Sequence, residues 1–347
     1  LLLLFTALVG LWQEAALLLF DIADQLLNLL WLFLDYLAAL PFSHWSGLWL
    51  PWYYYLSIII GSLLLLLPKG TPAKWLGLFA ILPLFFYSPN HLKQDEFILT
   101  LLDVGQGLSL VIETQHHTLV FDAGPKFSPR FNTGTAIVRP YLQQKNINHI
   151  DTLIISHGDN DHIGGAEPLV SSLSVGDIYS SVPELLSNAT PCLAGQSWQW
   201  DGVSFAMLHP DKTDSASENN LSCVLHISSS YGSVLATGDI EKEAERKLIS
   251  RYGLALKSKV LIAPHHGSKT SSSEQFITTV NPDLVLFPTA YLNRYNFPAD
   301  DIVARYQAHH IDQLSTADHG AIQIKFDQQE VLSPLLWRQK MHKIWTQ

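Results

Sequence analysis

The chain has 347 residues, a formal net charge of −10 and 48% hydrophobic side chains, enough for two domains of ordinary size. Its two cysteines, Cys192 and Cys223, exclude a disulfide-rich scaffold and a cysteine-rich zinc site, and leave a single bridge between them open. Residues 1–90 carry only Lys69 and Lys74 against Glu14, Asp21, Asp24 and Asp35. The remaining 257 residues carry 19 basic and 27 acidic groups, a net of −8 that argues against a broad electrostatic grip on nucleic acid.

In chain order, residues 1–20 and 26–40 are Leu-rich but interrupted by the four acids, which predicts a spanning helix followed by an interfacial amphipathic one. Residues 53–68 have no charge, approach the length that spans a bilayer and follow Trp49 and Trp52. Residues 75–87 form a shorter apolar run. Aromatics at the ends of these runs suit an interfacial belt. A buried hairpin of a soluble protein is the competing reading. The loop 68–74 holds both basic residues of this region, so the positive-inside rule puts it in the cytoplasm and everything after Tyr87 on the opposite side. The chain starts with Leu inside an apolar run, with no basic stretch ahead of it. This predicts a piece of a longer protein rather than a signal peptide.

From residue 97 the pattern changes to short β-rich runs. Strands are expected at 97–102, 108–113, 118–121 and 149–156, then in VGDIYSS, VSFAMLH, CVLHISS, GSVLATG and KVLIAP. Helices are expected at 135–144, 163–172, 241–252 and 300–309. The rhythm predicts an α/β sandwich with strands inside and helices outside. No repeat is visible, residues 211–220 form a polar loop, and LLWRQKMHKIW near the end suits an amphipathic packing or membrane-surface helix. The domain boundaries expected are 1–90, 91–330 and a tail, 331–347.

Four strand ends concentrate metal-seeking groups. HGDNDH places His157, Asp159, Asp161 and His162 in one turn after the strand at 149–156. Two carboxylates that close repel unless one is protonated or a cation lies between them. A polar turn capping a helix, with Asp161 as its N-cap, is the bland alternative. LATGDIEKEAE sets Asp239 at another strand end, where α/β folds place ligands, although Asp239 can also simply cap the helix that follows. KVLIAPHHGSKTS sets His265 and His266 after a third strand, one to bind metal and the other to face substrate or a carboxylate. VFDAG supplies Asp122, expected to orient the histidine loop.

These motifs resemble those of the metallo-β-lactamase superfamily, with Asp159 where a second His usually stands. FDAG, TGD and PHHG match its Asp-Gly, bridging-Asp and final His-Gly motifs in order. The wording of LLDVGQGLSLVI, FDAGP, SHGDNDHIGG, ENNLSCVL, TGDIE and APHHGSKTSS is similar to the C-terminal domain of the ComEC family of DNA-uptake competence proteins. The resemblance covers about residues 98–325. It implies a metallo-β-lactamase-like αββα sandwich preceded by transmembrane and interfacial helices from the end of a channel domain. It implies two divalent metal ions, zinc or manganese, held by His157, Asp159, Asp161, His162, Asp239 and His266. Asp161 and His265 are the implied catalytic groups. Asp122, Asp103, Ser268, Lys269, Asn293 and Arg294 are expected to orient ligands or touch substrate. Two departures stand out: SENNLSCVL contains no His, and Phe297 stands where the family often shows His before Pro.

The activity so implied is phosphodiester hydrolysis of the DNA strand that is not imported, by a multi-pass protein of the cytoplasmic membrane with its C-terminal domain outside the cytoplasm. The implied partners are DNA as a single strand or duplex end, the lipid bilayer, other DNA-uptake proteins and a second copy of the chain. Two other readings stay open: a catalytically silent DNA-guiding module, and a hydrolase of a small phosphodiester or a choline ester. No basic and aromatic stripe stands out along the chain.

Overall fold

Strand alternation sorts the domain into layers. In Phe97–Leu101 the side chains of Phe97, Leu99 and Leu101 are buried in a core shared with Phe121, Phe205 and Phe326. Thr100 faces the other way, with its hydroxyl 2.9 Å from that of Tyr141 on a covering helix. Phe97 and Phe326 stack at 4.2 Å between ring centres. The computed structural model that shows this describes residues 13–40, 52–68, 70–86, 92–212, 217–329 and 332–340. Two units emerge from its internal contacts, Leu1–Trp49 and Leu50–Gln347.

Among the described residues the second unit holds two large sheets. One runs in the order Leu335–Leu336, Ile322–Phe326, Phe97–Leu101, Leu110–Glu113, Thr118–Phe121, His149–Ile155, Ser174–Ser180 and Thr190–Pro191. The other runs Asp312–Ser315, Leu284–Phe287, Val260–Ile262, Gly232–Ala236, Val224–Ser229, Val203–His209 and Ser197–Trp200. One core lies between the sheets. A second lies under Lys242–Tyr252, Glu274–Val280 and Asp300–Ala308, and a third under Arg139–Gln144 and Ala166–Ser172. The layers are therefore helix, sheet, sheet, helix, as expected. Each sheet has a parallel half: Thr118–Phe121 beside His149–Ile155 in one, and Gly232–Ala236, Val260–Ile262 and Leu284–Phe287 in the other. Parallel neighbours put their C-terminal ends on one edge, and the loops that carry Asp122, His157, Asp239 and His266 all leave from such ends.

Several elements differ from expectation. The helix expected at 163–172 is two pieces, Asn160–Ile163 and Ala166–Ser172, because the Gly165 N–H donates to the Gly124 carbonyl at 2.9 Å instead of continuing the helix. The helix expected at 135–144 opens as a π-turn, Gly134–Val138, before Arg139–Gln144. The strands Leu284–Phe287, Asp312–Ser315 and Ile322–Phe326 complete the sheets beyond those expected. Leu335–Leu336 adds an edge strand, and a helical turn, Trp337–Lys340, follows it. Residues 341–347 lie outside the described residues, as do residues 1–12, Trp49, Lys69 and Tyr87.

Gln13–Ala39 is one continuous helix rather than a spanning and an interfacial pair. No Gly or Pro interrupts it, and two of its acids are satisfied one turn on: Gln25 donates to Asp21 at 3.5 Å and Asn28 to Asp24 at 3.1 Å. Within it, 15–37 is the one stretch among the described residues long and apolar enough to cross a membrane. Trp52–Leu66 has 15 residues, about 22 Å of helix at 1.5 Å per residue, short of a hydrocarbon core of roughly 30 Å. It packs on Leu76–Ile81 through two glycines. A Cβ on Gly61 would lie 2.7 Å from the Gly77 carbonyl oxygen, so only Gly admits this approach.

Cys192 and Cys223 are joined in a disulfide, which answers what the sequence left open. The bond closes a segment of 31 residues. The Cys223 N–H also donates to the Ser156 carbonyl, directly before the histidine loop. Replacing both cysteines with Ser is expected to lower unfolding stability by about 3–4 kcal/mol on the loop-entropy model. Denaturant titration of the whole chain in detergent measures it, and an unchanged midpoint would refute the bridge.

Candidate metal centre

Ser156 and Asp122 build the site from behind. Asp122 is fully buried at the end of Thr118–Phe121, with a left-handed backbone (φ 59°). Its carboxylate accepts from the Ser156 N–H at 2.6 Å, the Ser156 hydroxyl at 2.7 Å and His162 Nδ1 at 2.7 Å. With its proton given to Asp122, the Ser156 oxygen accepts from His157 Nδ1 at 3.0 Å. In the third loop, His266 Nδ1 donates to the Pro288 carbonyl at 2.8 Å. All three imidazoles therefore carry their neutral-form proton on Nδ1, and each Nε2 presents a lone pair.

Those lone pairs converge. His162 Nε2 and His266 Nε2 are 3.2 Å apart. Asp239 lies 3.2 Å from the first and 3.4 Å from the second. Asp161 is 3.3 Å from His266 Nε2 and 4.0 Å from His162 Nε2. The ligand atoms of His157, His162 and Asp239 lie within 4.8 Å of one another, and so do those of Asp161, His162 and His266. His157 Nε2 is buried and makes no hydrogen bond. Acceptors facing acceptors at this range repel unless something positive lies among them, so the residues present fit divalent cations. Without a metal the positive partner is a proton. Burial alone would favour neutral His162, but Asp239 and Asp122 outweigh it and hold its pKa well above the ordinary range. For His266 the same balance, with Asp239 and Asp161 opposing burial, ends at about 9. Burial would raise Asp161, yet its hydrogen bond from His266 and the charges of His162 and His266 bring it to about 2. Asp239 is likewise kept well below the carboxylate norm, its burial overcome by His162 and His266.

Backbone geometry makes the convergence feasible. Gly238 (φ 52°) precedes Asp239, and a Cβ there would sit 2.8 Å from Ser156 Cβ and 2.9 Å from Ser222 Cβ. Glycine thus lets two loops from different sheets touch. His265 and His266 both adopt left-handed backbone (φ 49° and 55°), a strained arrangement for non-glycine residues. The turn is braced by His265 N–H to the Gly238 carbonyl at 3.2 Å and by Ser268 N–H to the His265 carbonyl at 2.8 Å.

The structure brings His157, Asp161, His162, Asp239 and His266 together, with Asp122 behind them. Asp159 lies 3.4 Å from His157 Nε2, half-exposed and outside both tight groups. It is the N-terminal residue flanking Asn160–Ile163 but makes no side-chain cap, while Asp161 is inside that helix rather than capping it. His265 sits at the mouth, its Nε2 3.7 Å from Asp239 and its Nδ1 3.2 Å from the Thr270 hydroxyl. Burial, the largest influence on it, favours its neutral form. The other expected contacts turn elsewhere. Ser268 pairs with the Thr270 hydroxyl, Lys269 with Asp301 at 3.4 Å, and Asp103 with Arg338 at 3.2 Å. Asn293 spends its amide on the Ala290 and Phe297 backbone, and Arg294 lies over the Tyr295 ring. Phe297 lies beside both His265 and His266, at 5.8 and 6.3 Å between ring centres.

Residues that sequence reasoning missed are Ser156, the hub hydroxyl, and Glu245. Glu245 is fully buried on Lys242–Tyr252, and its carboxylate accepts from the Ser272 and Ser273 N–H groups to hold the loop after the paired histidines. Only the hydrophobic face of that helix, into which an acid intrudes, signals it. The Pro288 carbonyl carries no sequence signal at all.

With the geometry in place, the comparisons fix the class. The model of the metallo-beta-lactamase superfamily matches residues 102–288. The chain belongs to that superfamily. It is 36% identical over 265 residues to "Competence protein ComA" of Neisseria gonorrhoeae, covering 76% of this chain and 37% of that protein. It is 32% identical over 254 residues to "ComE operon protein 3" of Bacillus subtilis, covering 65% of this chain and 32% of that protein. These relatives bear out the resemblance to the ComEC family. The chain spans about a third of the length of the curated relatives it matches. Among solved structures it is similar to Igni18, a metallo hydrolase of the archaeon Ignicoccus hospitalis, with a TM-score of 0.45 and 17% identity over 67% of this chain and 100% of that one. The superfamily fold implies divalent metal ions, and the His and Asp groups described here suit them.

Two outcomes are expected. Metal uptake must displace the protons on His162 and His266, so affinity rises with pH up to about 9. The sign for the metal-free protein is opposite. His266 has its folded pKa raised above the ordinary 6.5, so its pairing stabilises fully below 6.5 and is lost as pH rises through about 9. Calorimetry in buffers of different ionisation enthalpy should read the released protons, and a pH-independent affinity would contradict the pairing. Asp122→Ala strands three buried donors, and metal affinity should fall about 10- to 100-fold. Equilibrium dialysis checks this, and an undiminished affinity would contradict the role given to Asp122.

Proposed function

We propose that this chain is part of a membrane-anchored DNA-uptake protein, and that its metallo-β-lactamase domain hydrolyses phosphodiester bonds of the strand that is not imported. The observation that carries the reading is the convergence of three Nδ1-anchored imidazoles with two carboxylates. His157, Asp159 and Asp239 would hold one cation and Asp161, His162 and His266 the other, since the single free lone pair of His162 can serve only one ion. Two such cations lower the pKa of a water to about 7 and neutralise the charge of a phosphodiester, the requirements of in-line hydrolysis. Carboxylate oxygens are numerous and both cysteines are tied up in the disulfide, so manganese fits as well as zinc.

The protein's own groups divide the remaining work. Asp161, ionised throughout the physiological range, accepts the hydrogen bond that aims the attacking water. Neutral His265, at the mouth, takes up a proton at Nε2 from the attacking water and, as the imidazolium, gives it to the departing oxygen, with Nδ1 beside Thr270 and Glu241. Asp122 and Ser156 keep the imidazoles in the tautomer that binds metal. The domain is assigned to the extracytoplasmic side. The loop containing Lys74 would face the cytoplasm, and the Cys192–Cys223 disulfide suits an oxidising compartment. A multi-pass arrangement would require Trp52–Leu66, and Leu76–Ile81 continued by Leu82–Phe86, to cross together with their flanking residues, since each helix alone is shorter than the hydrocarbon core.

Phe297, with its ring against His265 and His266, favours a second reading: a module that binds metal and guides DNA without cutting it. One assay separates the two. The whole chain in detergent, loaded with manganese or zinc, is incubated with end-labelled DNA. Cleavage should fall at least a thousandfold in His157→Ala and about a hundredfold or more in Asp161→Asn. Cleavage that survives His157→Ala would refute the site, and metal binding with no DNA loss in the unaltered chain would establish the guiding module.

A further inference from the structure

A hairpin beside the metal loop has features that hydrolysis of a bare phosphodiester does not require. Lys126–Ser128 pairs with Phe131–Asn132 in the stretch KFSPRFN. Its two phenylalanines are exposed, 59% and 51%, although nothing in the chain's interior needs them there. Their rings stack on each other, 5.5 Å between centres and 24° between planes. Lys126 and Arg130 flank them, exposed, and neither pairs with a carboxylate among the described residues. The hairpin is not a loose projection. The Thr133 hydroxyl donates to the Ala123 carbonyl at 2.6 Å, directly after Asp122, and the Ala123 N–H donates to the His162 carbonyl at 2.9 Å. The Lys126 N–H donates to the Asn160 side chain at 3.3 Å, inside HGDNDH. The two apolar rings and two cations are therefore fixed to the same backbone that carries the metal-seeking side chains. On the loop whose Phe297 lies beside His265 and His266, the exposed Arg294 and Tyr295 form a second ring-and-cation pair, with Tyr295 stacked on Phe297.

We propose that the Phe127–Phe131 hairpin is a base-stacking platform that holds unpaired nucleotides of a DNA strand while its backbone enters the metal site. The inference rests on the hydrolase reading for the identity of the strand. Flat aromatic rings bind any base through its π-face, and cations beside them take the phosphates, a combination that serves single strands without reading sequence. Bases in a duplex are already stacked on each other and do not offer those faces. The local charge is complementary to a polyanion, although the domain as a whole is acidic. The platform thus supplies selection for the unpaired strand, which the metal centre alone, acting on any phosphodiester, does not.

The test uses the whole chain in detergent, freed of metal with chelator so that no DNA is consumed. Fluorescence anisotropy is read with a labelled oligothymidylate, the same length of abasic strand, and a duplex. Phe127→Ala/Phe131→Ala should weaken oligothymidylate binding about tenfold or more and leave abasic-strand binding within about twofold. Phe127→Tyr/Phe131→Tyr, which keeps the rings, should restore the affinity. Lys126→Gln/Arg130→Gln should lower the slope of log affinity against log salt by about 1.4, two phosphate contacts' worth. Equal metal uptake and melting temperature in the Ala and Tyr variants exclude misfolding. The proposal is overturned by unchanged oligothymidylate affinity in the Ala variant, or by an equal loss on the abasic strand. It is also overturned if the variant loses binding to anionic lipid vesicles while DNA binding stays intact. Hydrolysis of bis(p-nitrophenyl) phosphate by the metal-loaded chain reports on the hydrolase reading separately, because that substrate needs no platform.

Discussion

The site depends on where three imidazole protons are placed. His157, His162 and His266 each donate from Nδ1 to a fixed acceptor, and this leaves three Nε2 lone pairs among the buried Asp239 and the part-exposed Asp161 and Asp159. Such an arrangement is unstable without positive charge at its centre, so the fold creates a demand that only protons or cations meet. Everything nearby serves that placement. Asp122 and Ser156 set two of the tautomers, and the Pro288 carbonyl at the end of Leu284–Phe287 sets the third. Gly238 allows the two sheets' loops to meet.

The sandwich explains why residues 80 or more positions apart can meet at all. Parallel strands deliver their C-terminal ends to one edge of each sheet, and the shared core fixes the two edges against each other. The disulfide reinforces this seam, because Cys223 is bonded to Ser156 through the backbone and to Cys192 through sulfur. Glu245 does comparable work on the other side by tying a helix to the loop that follows the paired histidines. The centre is thus assembled by packing and not by local sequence.

Much of this was legible beforehand, for identifiable reasons. HGDNDH, TGD and PHHG each end a short apolar run, so strand ends could be paired with ligand candidates directly. The choice of His266 over His265 follows in the structure from the Pro288 acceptor, which has no trace in the sequence. Lys269, Asn293 and Asp103 looked like substrate contacts because they adjoin motifs, but adjacency in the chain does not fix direction, and their side chains turn to Asp301, to their own loop and to Arg338. The Leu-rich front misled in a similar way. Asp21 and Asp24 suggested a break, whereas Gln25 and Asn28 one turn on satisfy them and the helix runs through. No basic and aromatic stripe was visible along the chain because Phe127 and Phe131 face each other only once the hairpin closes.

The measurement that bears most directly on the centre is X-ray absorption of the metal-loaded chain. The account predicts about two manganese or zinc ions per chain, imidazole nitrogens and carboxylate oxygens as neighbours, no sulfur, and a metal–metal distance of about 3.5–4 Å. A spectrum without imidazole scattering, or with sulfur in the inner sphere, would contradict it.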